Sequence, residues 1–109
     1  MTLNQMALEQ LRKDVGEEVF PLILGQFREE LTRQHSAVAQ AVEQHDHTAL
    51  AESAHSLKST ARTIGLDELA DAAARTEQLC RAGEAAGVTE AQRLIAVCAQ
   101  AQAMLQGVS

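Results

Sequence analysis

The chain has 109 residues, 46% of them apolar, with two aromatic side chains, one proline and a net charge of −6. That length predicts a single domain over residues 1–109 and leaves no room for an ATP-binding domain beside it. With fifteen acids against nine bases and almost no stacking aromatics, the composition argues against nucleic acid and against an anionic membrane surface.

Ala, Leu, Gln and Glu dominate, which is helical composition, and punctuation divides the chain into five helical stretches. The first is short, over 4–15, with Leu8, Leu11 and Val15 at helical spacing and Gly16 ending it. The second is expected over 17–44, where Pro21 is tolerable in the first turn. Its inner stripe is Phe20, Leu24, Phe27, Leu31, Val38 and Ala41, and Leu22 falls on the outer side. Leu22 then either packs under the first helix or touches a partner.

Asp46 is placed to cap a third helix over 47–64, lined by Leu50, Ala54, Leu57, Ala61 and Ile64, with Gly65 as the terminating residue. Asp67 is expected to cap the fourth, whose stripe is Leu69, Ala73, Thr76 and Cys80. Thr89 followed by Gln92 reads as the capping box of the last helix, lined by Ala91, Leu94, Cys98, Ala101 and Leu105. Short connections between four amphipathic helices predict an all-α fold, an antiparallel up-down four-helix bundle, with the short N-terminal helix covering one end.

No segment approaches the roughly 20 apolar residues that span a bilayer, and the run "MTLNQMALEQLRKDV" lacks the basic stretch and apolar run of a secretory leader. Cys80 and Cys98 sit on apolar stripes and read as reduced core residues of a cytoplasmic protein. The starting methionine and the short tail point to a free-standing domain.

One histidine stands apart. At about 100° per residue, His55 lies roughly 140° from the core stripe of the third helix, so it faces outward. Thr48, Ala51, Glu52, Lys58, Ser59 and Arg62 share its face. Ala51 and Ser59, one turn before and after, are too short to screen the ring, and Lys58 and Arg62 bring positive charge beside it. His45 and His47, in the turn before this helix, and His35, flanking the second, read as ordinary solvated side chains.

Glu77 lies as far after the turn near Leu66 as His55 lies before it. In an antiparallel pair that places both at the same height. A carboxylate there accepts from Nδ1–H and leaves Nε2 as the free lone pair, which is how an imidazole is aimed as a nucleophile. The alternative for Glu77 is an ordinary flanking charge.

The spaced set His55, Leu57, Lys58, Ser59, Thr60, Ala61, Gly65, Leu69 and Glu77 resembles the histidine-containing phosphotransfer (HPt) domains of bacterial phosphorelays. The upstream run "VGEEVFPLILGQFREEL" is similar to the start of that family's second helix. Ser59 stands where the family usually has Gly, Leu66 where it often has Ala, and Thr76 where a Leu precedes the hydrogen-bonding position. The resemblance implies that His55 is the phosphoacceptor, taking a phosphoryl group from a receiver-domain aspartate of a hybrid sensor kinase and passing it to a response regulator. It implies charge compensation by Lys58, with Arg62, a tautomer-orienting role for Glu77, and clearance for the docking receiver at Ala51 and Ser59. It implies a monomeric phosphocarrier without kinase activity, with no cofactor of its own and Mg²⁺ supplied by the receiver.

Two other functions compete. Glu52 and His55 match one Glu-x-x-His pair of a metal-binding helical bundle, but no second pair exists and the face points to solvent. A non-catalytic helical adaptor is the other.

Overall fold

The computed structural model describes residues 1–108. They form five helices: α1 (Gln5–Val15), α2 (Phe20–Glu43), α3 (His47–Ile64), α4 (Asp67–Arg81) and α5 (Ala86–Gln106), with no strand among the described residues. Helix α3 packs on α4, α4 on α5, α2 on both α3 and α5, and α1 lies against α3 and α2.

The stripes expected from the sequence become the core. Leu31 and Val38 of α2, Leu50, Ala54, Leu57, Ala61 and Ile64 of α3, Leu69 and Ala73 of α4, and Leu94, Cys98 and Leu105 of α5 are all buried together. Leu8, Phe20 and Leu24 make a smaller cluster where α1 meets the start of α2. Many of these residues are alanines, so the helix backbones approach closely and a small chain still fills its interior.

The ends of α3 follow the sequence signals. The Asp46 side chain accepts from the Ala49 amide at 3.0 Å. Gly65 ends the helix in the left-handed region at φ 80°, ψ 28°, its amide bonded to Ala61 O. The N-terminal segment crosses directly over this glycine. Asn4 N donates to Gly65 O at 2.7 Å, and a Cβ on Gly65 would stand 2.6 Å from Asn4 O. Only glycine satisfies both the backbone angle and the space.

Three expectations about helix starts are corrected. Residues Glu17–Val19 form a turn, and α2 begins at Phe20, with Pro21 in its first turn. Asp67 is the first residue of α4, not its cap; its carboxylate instead accepts from Asn4 Nδ2 at 3.2 Å. Helix α5 begins at Ala86, three residues before Thr89, so the capping box does not open it. Gly87 permits the early start: a Cβ there would meet Cys80 Sγ at 2.7 Å and Cys80 N at 3.1 Å, so its absence lets α5 settle on the end of α4.

The far end of α5 is tied down as well. Arg28 donates to Leu105 O and Val108 O, each at 2.7 Å, and so satisfies carbonyls that a helix terminus leaves open.

Candidate functional site

The site is built by the α3–α4 hairpin. Helix α3 presents the His55 side chain 61% exposed, while Glu77 arises from α4 with its side chain only 11% exposed. His55 Nδ1 and Glu77 Oε2 are 3.0 Å apart. Equal distance from the turn has brought them to the same height.

Three donors converge on that one carboxylate. Lys58 Nζ donates to Oε1 at 2.6 Å. Arg81 Nε and Nη2 donate to Oε2 at 3.0 and 2.8 Å, beside the imidazole. The hydrogen bond from Lys58 is the strongest influence on the carboxyl, and with Arg81 and His55 it outweighs burial, holding the Glu77 pKa at about 2.

The chemical consequence is a defined tautomer. An ionised carboxylate only accepts, so the ring nitrogen facing Glu77 carries the proton. Nε2 is then the lone pair, on a ring that is mostly in solvent. Lys58 and Arg81 bring two positive charges to one carboxylate, so with a neutral imidazole the cluster holds one net positive charge. A half-exposed nucleophile in a locally positive setting suits an incoming anion.

The remaining sequence candidates fall differently. Ser59 is exposed one turn beyond His55, on open surface. Ala51 is 2% exposed and belongs to the core, so it does not contribute open surface. Helix α3 has neighbours on both flanks, which makes its buried arc wider than its apolar stripe. Ala51 lies on the flank from which Lys58 reaches across to α4. Arg62 is exposed two turns beyond His55, and no hydrogen bond or ion pair joins it to the cluster among the described residues. Leu22 does not pack under α1; it is 68% exposed.

Arg81 was not among the sequence candidates. Its signal is present, because Arg81 lies four residues after Glu77 and such pairs share a helix face. The two cysteines are both buried and unpaired with each other. His47 opens α3 instead of lying in the turn, while His45 takes a positive φ of 51° just before it. Among the described residues, no group of three or more His, Cys, Asp or Glu side chains is arranged to hold a metal ion. Among the described residues, no helix is long and apolar enough to cross a membrane.

Residues 22–109 match the family model of the Hpt domain, which takes in every residue of this cluster. The chain belongs to the Hpt domain family. A solved HPt protein has a similar architecture: the crystal structure of histidine-containing phosphotransfer protein B (HptB) from Pseudomonas aeruginosa PAO1 superposes with a TM-score of 0.85. The two are 23% identical, over 95% of this chain and 90% of that one, so the likeness speaks to the HPt fold alone. A comparison with curated proteins finds no match. Membership of the HPt family places the chain among the phosphotransfer proteins of two-component signalling, whose members carry phosphoryl groups and interact with receiver domains.

Proposed function

We propose that this HPt domain relays a phosphoryl group through His55, from a receiver aspartate of a hybrid sensor kinase to that of a response regulator. The observation that carries the reading is the exposed imidazole whose Nδ1 faces a buried, ionised Glu77 at 3.0 Å. That arrangement holds Nε2 outward as a nucleophile.

In the transfer, the Nε2 lone pair forms a bond to phosphorus as the bond from phosphorus to the aspartyl oxygen breaks. The electron pair leaves with the receiver carboxylate. The Nδ1 proton stays in place, and the positive charge that develops on the ring is met by Glu77. Lys58, one turn from His55, compensates the phosphoryl oxygens, with Arg62 adding longer-range positive potential. Mg²⁺ belongs to the receiver, and the HPt chain acts as a phosphocarrier with no cofactor and no kinase activity of its own.

The architecture fits a single domain over residues 1–109, an antiparallel up-down four-helix bundle of α2–α5 with α1 across one end. Ser59 gives clearance beside the ring, and the adjoining surface of α1, α2 and α3 receives the partner. We place the protein in the cytoplasm as a monomer.

Incubation with phosphorylated receiver domains tests the reading. Wild type is expected to gain acid-labile phosphate and His55→Gln to gain none. Labelling that survives in His55→Gln, or wild type that accepts nothing from any receiver of its source, refutes it.

A further inference from the structure

Lys58 is already engaged. Its ammonium lies 2.6 Å from Glu77 Oε1, so a phosphoryl group on Nε2 competes with that carboxylate for the same cation. If Lys58 were that carboxylate's only cation, its departure would strand a nearly buried charge, which is costly. Arg81 removes this conflict. It holds Oε2 through two donors, independently of Lys58, from the same helix as Glu77.

We propose that Arg81 is a positioning residue for phosphotransfer: it retains Glu77 against His55 Nδ1 while Lys58 moves from Oε1 to the phosphoryl group. This rests on the relay reading above. The division of labour follows from side-chain chemistry and attachment. The arginine fork is planar and suits a fixed carboxylate, whereas the lysine ammonium turns on a flexible stem. Arg81 and Glu77 sit four residues apart on α4 and keep their geometry whatever happens on α3. Lys58 sits three residues after His55 on α3 and tracks the ring.

The charge count agrees. The resting cluster has one positive charge more than its carboxylate neutralises. A phosphoryl group brings two negative charges to Nε2 while the ring gains one positive, so a mobile cation has a new site to fill. Arg81 stays behind to keep the ring oriented for the return transfer, when the N–P bond breaks toward the next receiver's aspartate.

The test measures single-turnover transfer from a phosphorylated receiver to wild type, Arg81→Ala and Arg81→Lys, with the Lys58 ammonium followed by ¹⁵N NMR. The expected result is about a tenfold slower chemical step in Arg81→Ala, the scale of a lost orienting partner, with receiver affinity unchanged and partial recovery in Arg81→Lys. The Lys58 ammonium signal is expected to shift on phosphorylation in wild type and to stay near its resting position in Arg81→Ala. An Arg81→Ala protein that transfers at the wild-type rate, or whose Lys58 signal moves as in wild type, overturns the role of Arg81 and leaves the relay standing. A wild type that accepts no phosphoryl group from any receiver overturns both.

Discussion

Lys58 reaches across the α3–α4 hairpin to Glu77, Nζ to Oε1 at 2.6 Å, on the carboxylate whose other oxygen faces His55. The cation assigned to the phosphoryl group and the acceptor assigned to the imidazole are therefore partners in the resting protein. Lys58→Ala is expected to slow phosphotransfer by about a hundredfold, the lower end of the range for removing one stabilising donor near developing charge. Quenched single-turnover assays measure this. An undiminished rate would remove Lys58 from the transfer step.

Glu77 gives a pH signature. Its pKa is depressed from an ordinary 4.5 to about 2, so the folded state binds its proton less readily than the unfolded chain. The stabilisation is complete above about 4.5 and is lost as pH falls toward 2. Wild type is expected to exceed Glu77→Gln in stability at neutral pH, with the gap closing across that window. Urea denaturation of both proteins at a series of pH values reads it. A gap that is constant from pH 7 to pH 2 would contradict the assignment.

Gly65 and Gly16 separate two kinds of glycine requirement. Both have positive φ, at 80° and 88°, but a Cβ on Gly65 meets Asn4 O at 2.6 Å while one on Gly16 meets open space. Gly65→Ala is expected to cost at least about 2 kcal/mol, or roughly 10 °C in Tm, from strain and collision together. Gly16, at φ 88°, ψ 159°, lies in a region essentially reserved for glycine, so Gly16→Ala is expected to cost about 1–3 kcal/mol from strain alone. A Gly65→Ala protein that melts at the wild-type temperature would show that Asn4 yields freely.

The cysteines are expected to be inert. Burial raises the Cys98 thiol to about 11 and pushes Cys80 up as well, so little thiolate exists at neutral pH. A thiol reagent should label neither appreciably in the native protein and both rapidly in denaturant. Fast labelling of the folded chain would mean that the α4–α5 side opens readily.

Leu22 is an exposed apolar side chain without a structural task. Leu22→Ser is expected to change stability by less than about 0.5 kcal/mol. If the partner docks on α2, the same change raises the receiver concentration needed for half-maximal transfer. Equal stability with equal receiver dependence would place Leu22 outside the docking surface.

Much of this was legible in the residues. Apolar spacing identified the five helices and the core, because an amphipathic helix must bury one face and the period records which. The His55–Glu77 contact followed from their equal distance to one turn. The misreadings have a common origin in tertiary packing. Ala51 appeared exposed on an isolated wheel, but α3 is flanked on both sides. The start of α5 was displaced by Gly87 lying on Cys80, a contact that no local capping pattern encodes. Arg81 lies off the face of His55, on α4, where its spacing of four from Glu77 pairs the two.

The two ends of the His55–Glu77 contact also constrain how the chain must fold. A slip of one residue along the α3–α4 pair displaces one helix by about 1.5 Å, enough to break a hydrogen bond. A hairpin assembled out of register would leave the ring without its anchor and its tautomer unfixed. On the proposed relay, competence for phosphotransfer is thereby tied to the register of the α3–α4 pair itself.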